Sequence, residues 1–226
     1  DINVDFGNKK IRGSARWDFE FLKNSNSIVF DVNDLAIDSV VLDDGTRAVF
    51  SLGKSDEIMG AALRIPVSTK NKALTIYYQT GSHPIALQWL EPAQTFGKKQ
   101  PFLYTQSESI YARSWIPCQD GPGIRYTYDA KVKVPAGLLA LMSAENPQRK
   151  SADGSYSFKM DKPVPAYLMA LAVGDIAFAP VDARTGVYAE PAILSKASKE
   201  LSDLGTMVHT AEQLYGPYRW GRYDVL

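Results

Sequence analysis

Two histidines are the residues in this sequence most able to bind a metal ion, but their surroundings do not favour it. A helical zinc site of the His-Glu-x-x-His type needs two imidazoles on one helix face and a glutamate that reaches the bound water. His209 is followed by Thr-Ala-Glu, which supplies no second histidine, and His83 precedes Pro84 in a predicted turn. A catalytic zinc typically takes three protein ligands. We therefore expect both histidines to be solvated or structural, and we predict no metal ligands and no bound cofactor in this chain.

The single cysteine, Cys118, could act as a nucleophile only with a histidine close enough to activate it. It lies in the segment Ile-Pro-Cys-Gln-Asp, which contains no histidine, and we expect a packed residue at a strand end. No serine lies in a Gly-x-Ser-x-Gly context, and the Gly-Pro-Gly segment at 121–123 indicates a turn. The residues of this chain therefore predict no catalytic centre, and the chain alone is expected to be inactive.

A third set of polar residues, Gln106-Ser107-Glu108-Ser109, lies between the largely apolar segments 102–104 and 110–113. A glutamate in such surroundings is either a surface charge or a partly buried carboxylate that pairs with a cation. The residues alone leave both interpretations open.

Alternation of apolar and polar residues predicts a chain built mostly of β-strands. Ile11, Trp17 and Phe19 alternate with charged or polar side chains, which is the period of a strand with one buried face. An Asp-Asp-Gly segment at 43–45 is a hairpin turn signal. Further strands are predicted at residues 28–32, 37–42, 47–50, 63–67, 74–80, 124–134, 139–143, 156–160 and 167–173. Many short strands separated by turns indicate a mainly β fold, either a β-sandwich or several packed sheets.

The pattern changes near Glu190, where strand-like alternation gives way to helical spacing. Between residues 195 and 215, apolar side chains recur at steps of three and four, which predicts one amphipathic helix. Gly216 and Pro217 are expected to end it. Residues 222–226 resemble the beginning of a strand, so we expect that the natural chain continues beyond Leu226.

Composition and charge exclude some classes of partner. Lys plus Arg and Asp plus Glu number 25 each, so the net charge of zero favours neither nucleic acid nor anionic membrane. No apolar run approaches the roughly 18 residues of a membrane span.

One cysteine in 226 residues fits a reducing compartment, which slightly favours the cytoplasm. The chain begins at Asp1 rather than Met, so an exported bacterial form stays open.

Five segments, in this order, resemble the zinc aminopeptidases of the aminopeptidase N and leukotriene A(4) hydrolase family. They are residues 86–95, 117–120, 134–135, 140–144 and 216–224. The resemblance implies a saddle-like, multi-sheet β domain at residues 1–188. Residues 189–226 would be the linker and first helix of a thermolysin-like catalytic domain. The resemblance also implies that zinc is bound by residues beyond Leu226. The implied binding partners are the amino terminus of a peptide substrate and the protein's own catalytic domain.

The same resemblance implies roles for Gln106 and Glu108. Both match the family's Gln-x-Glu or Gln-x-Gln segment, although Ser109 replaces the usual alanine. Glu108 would bind the α-ammonium group of a peptide substrate, and Gln106 would line the pocket for the first side chain. Leukotriene A(4) hydrolase has Gln at the position of Glu108, so the Glu favours peptidase over epoxide hydrolase activity.

Two other functions stay open at this point. One is a stand-alone β-sandwich module for binding, which should bury Leu201, Leu204 and Val208 within itself, whereas part of a larger protein would leave them poorly covered. The other is a bifunctional lipid epoxide hydrolase and aminopeptidase.

Overall fold

The computed structural model describes residues 1–23 and 25–226. These residues form two compact units, each made of segments that are separated in sequence. The first unit contains Asp1–Gln88, Thr105–Tyr126 and Val164–Met169, and the second contains Trp89–Tyr104, Thr127–Pro163 and Ala170–Leu226. The expected boundary between residues 188 and 189 divides the chain differently and stays a prediction.

The first unit contains short antiparallel strands, as the alternation predicted. They are β1 (Ile2–Asp5), β2 (Lys10–Asp18), β3 (Ser27–Val32), β4 (Leu35–Leu42), β5 (Arg47–Ala48), β6 (Ser51–Leu52), β7 (Ala61–Pro66) and β8 (Ala73–Thr80). Strands β1, β2, β8, β4 and β5 are neighbours in that order, and β3, β7 and β6 form a second sheet.

Side chains from both of these sheets form one apolar core in the first unit. On β8, Leu74, Ile76 and Tyr78 are buried, because alternate residues of a strand point to the same face. Leu63 and Ile65 of β7 belong to the same cluster, and both are fully buried. Each such aliphatic side chain stabilises the fold by roughly 1.5–3 kcal/mol. Packing of two inner faces is the arrangement of a β-sandwich, one of the two arrangements that the sequence left open.

The predicted hairpin turn between β4 and β5 is present. Gly45 has a φ of +84°, a left-handed conformation that favours glycine. The carboxylate of Asp44 accepts a hydrogen bond from the Thr46 amide at 2.9 Å, which closes the turn.

The remaining strands lie mostly in the second unit. They are β9 (Leu87–Leu90), β10 (Phe102–Thr105), β11 (Arg125–Lys133), β12 (Leu139–Met142), β13 (Ser155–Pro165), β14 (Leu171–Gly174), β15 (Ala177–Pro180), β16 (Thr185–Ala189) and β17 (Tyr223–Val225). One sheet has the order β12-β14-β10-β9, another has the order β15-β16-β17, and β11 neighbours β13. Strand β17 pairs in parallel with β16, so the strand expected within residues 222–226 is confirmed.

The strand predicted at residues 167–173 is only partly correct. Residues Ala166–Leu168 form a 3-10 turn, closed by a hydrogen bond from the Met169 amide to the Ala166 carbonyl at 2.9 Å. Pro165 precedes this turn with a φ of −71°, a value set by its ring that suits the entry to a helical turn. Strand β14 therefore begins only at Leu171.

The single amphipathic helix predicted over residues 195–215 is wrong, because two helices occupy this segment. Helix α1 spans Leu194–Glu200 and helix α2 spans Leu204–Tyr215. Ser202 and Asp203 lie at the break, and both residue types compete with helical hydrogen bonding through their own side chains. The predicted end is confirmed, because Gly216 follows α2 with a φ of +89°.

Within the described residues, no helix is both long and apolar enough to span a membrane.

Several short strands, including β1, β9, β15 and β16, were not predicted from the sequence. They contain four or five residues each, too few to establish an alternating pattern.

Candidate functional site

Gln106 and Glu108 lie on a loop that leaves β10 and enters a 3-10 turn at Ala112–Ser114. Both side chains are exposed, whereas Ser107 between them is only 2% exposed. The peptide bond that follows Glu108 is cis. The two residues singled out from the sequence therefore lie on the surface of the first unit, on either side of a buried serine.

The base of this loop is held by the backbone of Ala86. The Gln106 amide donates to the Ala86 carbonyl at 2.8 Å, and the Ala86 amide donates to the Ser114 hydroxyl oxygen at 3.0 Å. Ser114 in turn donates to the Tyr111 carbonyl at 2.8 Å. Ala86 and Ser114 are fully buried, so these bonds satisfy groups that would otherwise destabilise the fold.

Inside the loop, one side chain organises the next residue. The Gln106 Oε1 atom accepts a hydrogen bond from the Glu108 amide at 3.0 Å. No described residue forms a hydrogen bond or ion pair with the Glu108 carboxylate, which leaves both oxygens available to a cation. Exposure of Glu108 fits a surface charge as well as a binding group, so its role stays a prediction.

A buried ionic network follows the loop, and sequence reasoning missed it. Arg113 is 4% exposed, and its Nε atom donates to Asp120 Oδ2 at 3.2 Å. Its Nη1 atom donates to the Met59 carbonyl at 2.7 Å, and its Nη2 atom lies 3.7 Å from Asp31 Oδ2. Burial raises the pKa of Asp120, against the opposing effect of its bonds to Arg113. The available signal was an arginine inside the apolar segment 112–116.

Cys118 is buried beside this network, which agrees with the prediction of a packed residue. Its side chain is 1% exposed. Burial, with a further contribution from the charge of Asp120, raises the pKa of the thiol well above its usual value. A protonated and inaccessible thiol is a poor nucleophile.

The two histidines are exposed, and each lies in a different unit of the fold. The His83 amide donates to Asp34 Oδ2 at 2.7 Å. On α2, His209 Nε2 lies 3.0 Å from the side-chain nitrogen of Gln213. Across residues 1–23 and 25–226, no group of three or more His, Cys, Asp or Glu is placed to hold a metal ion. These residues therefore do not fit a catalytic zinc.

Comparison with known families decides the class of this protein. The model of the peptidase M1 N-terminal domain matches residues 1–168. The chain belongs to the peptidase M1 family. The mainly β fold expected for this M1 domain is confirmed, since a structure of native yeast LTA4 hydrolase superposes with a TM-score of 0.92. That structure is 33% identical in sequence and is matched over 100% of this chain and 36% of its own.

Curated relatives of this M1 domain include a leucine aminopeptidase and a leukotriene A-4 hydrolase. Leucine aminopeptidase 2 of Pyricularia oryzae is 35% identical, over 100% of this chain and 38% of its own length. Leukotriene A-4 hydrolase of Xenopus laevis is 36% identical, over 100% of this chain and 39% of its own length. The chain thus spans less than two fifths of either relative.

Proposed function

We propose that this chain is the substrate-recognition and structural region of a zinc aminopeptidase that removes amino-terminal residues from peptides. The observation that carries the proposal is the Glu108 carboxylate, which is exposed and unpaired among the described residues of an M1-family chain. Its loop is held by buried hydrogen bonds at Ala86 and Ser114.

Recognition of a free amino terminus is chemistry that a positioned carboxylate can perform. An aminopeptidase must bind an α-ammonium group at a set distance from the peptide carbonyl that is cleaved. A charge-assisted hydrogen bond between carboxylate and ammonium is about twice as strong as a neutral one. In this role Glu108 binds the ammonium group, and Gln106 lines the pocket for the first side chain.

Hydrolysis in this proposal belongs to a catalytic domain of the same protein that carries the zinc. The described residues offer no metal-binding group, and both curated relatives are more than twice as long as this chain. Zinc would activate water and polarise the peptide carbonyl in that domain. Residues 189–226, including α1 and α2, are proposed as the first part of it.

Exposure on α2 favours a larger protein over a stand-alone module. Leu204 is buried, but Leu201 and Val208 are only partly buried. Met207 and Leu214 on the same helix are 62% and 70% exposed. The rest of the protein's own catalytic domain is the proposed cover for these side chains.

Substitution of Glu108 by Gln in the complete enzyme tests the proposed function. The change keeps the size of the side chain and removes its charge. It should therefore cost about 2–5 kcal/mol of transition-state stabilisation, measured as a fall in kcat/KM for an aminoacyl anilide. This loss corresponds to roughly 30-fold to 4,000-fold. Glu145→Gln is the matched control, because Glu145 is also exposed and has no described partner. Equal activity of the Glu108 variant and the control would reject the assignment.

Similarity to leukotriene A-4 hydrolase supports a second candidate, an epoxide hydrolase with accompanying peptidase activity. Glu108 argues against it, because the resemblance places Gln at this position in that enzyme. Turnover of a lipid epoxide by the complete wild-type protein would support this candidate, and its absence beside peptide hydrolysis would reject it.

A further inference from the structure

Ser107 is the residue that connects the proposed recognition loop to the core. Its side chain is 2% exposed, although both sequence neighbours are exposed. Its Oγ atom accepts a hydrogen bond from the Trp115 indole Nε1 at 3.1 Å, and Trp115 is fully buried. The Ser107 carbonyl also accepts a bond from the Tyr111 amide at 2.9 Å. Ser107 is therefore held at its side chain and at its backbone.

This contact is well suited to set the direction of the residues on either side. A fully buried indole is held in place by close packing around it, so it offers a fixed donor. Breaking the bond would leave a buried N–H without a partner, which disfavours any rotation of Ser107 away from Trp115. With the Ser107 side chain directed inward, Gln106 and Glu108 are left on the solvent side of the loop.

We propose that the Ser107–Trp115 hydrogen bond positions Glu108 for the substrate's α-ammonium group. Ser107 and Trp115 do not touch the substrate in this proposal, which rests on the proposed function of Glu108. They act through Glu108 by fixing the loop backbone from which it projects. A misplacement of about 1 Å near a reacting group can cost ~10²-fold in rate, so a small rotation of the loop is enough to matter.

A double-mutant cycle in the complete enzyme tests this positioning role. Ser107→Ala removes the acceptor, and Trp115→Phe removes the donor while keeping an aromatic ring. Each change should lower kcat/KM for an aminoacyl anilide by about tenfold or more. In the Glu108→Gln background the same changes should lower it by less than about twofold, because the group that they position is already lost. Ser109→Ala is the matched control, since it makes the same chemical change at an exposed position in the same loop.

Three results would overturn the proposal, and they are distinguishable. An equal loss with and without the Glu108 carboxylate means that Ser107 acts on the fold in general, which thermal unfolding of each variant would reveal. Unchanged activity of Ser107→Ala in the otherwise wild-type enzyme means that the hydrogen bond positions nothing. A neutral Glu108→Gln variant rejects the proposed function itself, and the positioning role falls with it. If Trp115→Phe does not fold, the Ser107→Ala cycle decides alone.

Discussion

Cys118 illustrates how burial suppresses the reactivity of a residue that can act as a nucleophile. Because the pKa of its thiol is raised by burial and by the nearby Asp120, the thiolate fraction at neutral pH is small. We expect a thiol reagent at neutral pH to modify Cys118 very slowly in the folded chain. In denaturant the same reagent should rapidly modify one thiol per chain. Rapid modification of the folded protein would contradict the structural role.

Arg113 provides a second prediction, on the stability of a buried ion pair. The Arg113 and Asp120 side chains are 5% and 2% exposed, so removing the arginine leaves an uncompensated buried carboxylate. Arg113→Ala should lower the free energy of unfolding by about 3–5 kcal/mol. This value can be measured by chemical denaturation.

Arg16→Ala is the control for this prediction. Arg16 pairs with Asp18 at 2.9 Å, but their side chains are 59% and 72% exposed. The variant should lose no more than about 1 kcal/mol, because water screens an exposed pair. Similar losses in the two variants would show that burial does not determine the strength of the Arg113 pair.

At the level of elements, an ion pair joins α2 to the turn that precedes β16, and its contribution to stability should depend on pH. Arg184 donates to both carboxylate oxygens of Glu212, at 3.1 and 2.8 Å, and the Tyr218 amide donates to Oε1 at 3.0 Å. These bonds, chiefly those from Arg184, lower the pKa of Glu212 to about 2. A lowered pKa means that the ionised form is favoured by folding.

Stability from the Glu212 carboxylate should therefore be complete above its unfolded pKa of about 4.5 and disappear as the pH falls towards about 2. We expect the wild-type chain to unfold at a higher temperature than Glu212→Gln at pH 6, and the difference to shrink between pH 4.5 and 2. Comparison with the variant cancels the acid sensitivity of other carboxylates. A difference that is constant over this range would contradict the role of the pair.

At the level of the whole molecule, the exposed apolar side chains of α2 test whether further protein covers this helix. In the 226-residue chain, Leu214→Ser should change the free energy of unfolding by no more than about 0.5 kcal/mol, since Leu214 is 70% exposed. Leu204→Ala is the control, because Leu204 is buried and its truncation should cost about 2–5 kcal/mol.

In the complete protein, by contrast, Leu214→Ser should lower the melting temperature, because the rest of the proposed catalytic domain would cover the side chain. A negligible effect in both proteins would mean that this part of α2 faces solvent and is not covered by the rest of the catalytic domain.

Much of the fold could be predicted from the sequence because strand patterns are local. Alternation located β2, β3, β4, β7, β8 and β11, and a turn signal located Gly45. The candidate site was less accessible to this reasoning. Glu108 was found through resemblance to a family, since its residue type alone left two interpretations open.

The failures came from short elements and from contacts between distant residues. In the first turn of α2, Gly205 lies so close to the side chain of Asp182 that a Cβ atom would clash with it, and helical spacing does not reveal this. Glu190 likewise accepts backbone hydrogen bonds from Phe96 and Gly97 at 2.7 and 2.6 Å, across more than 90 residues of sequence.

The sequence by itself determined the mainly β class and the helical character of residues after 190. These properties depend on residue types and spacing within a few positions of each other. Tertiary structure decided which side chains of the candidate recognition segment are buried, which partner holds Ser107 and why Arg113 can be buried. Those outcomes depend on groups that only folding brings close to Arg113, such as the Met59 carbonyl at hydrogen-bond distance and the Asp31 carboxylate at ion-pair distance.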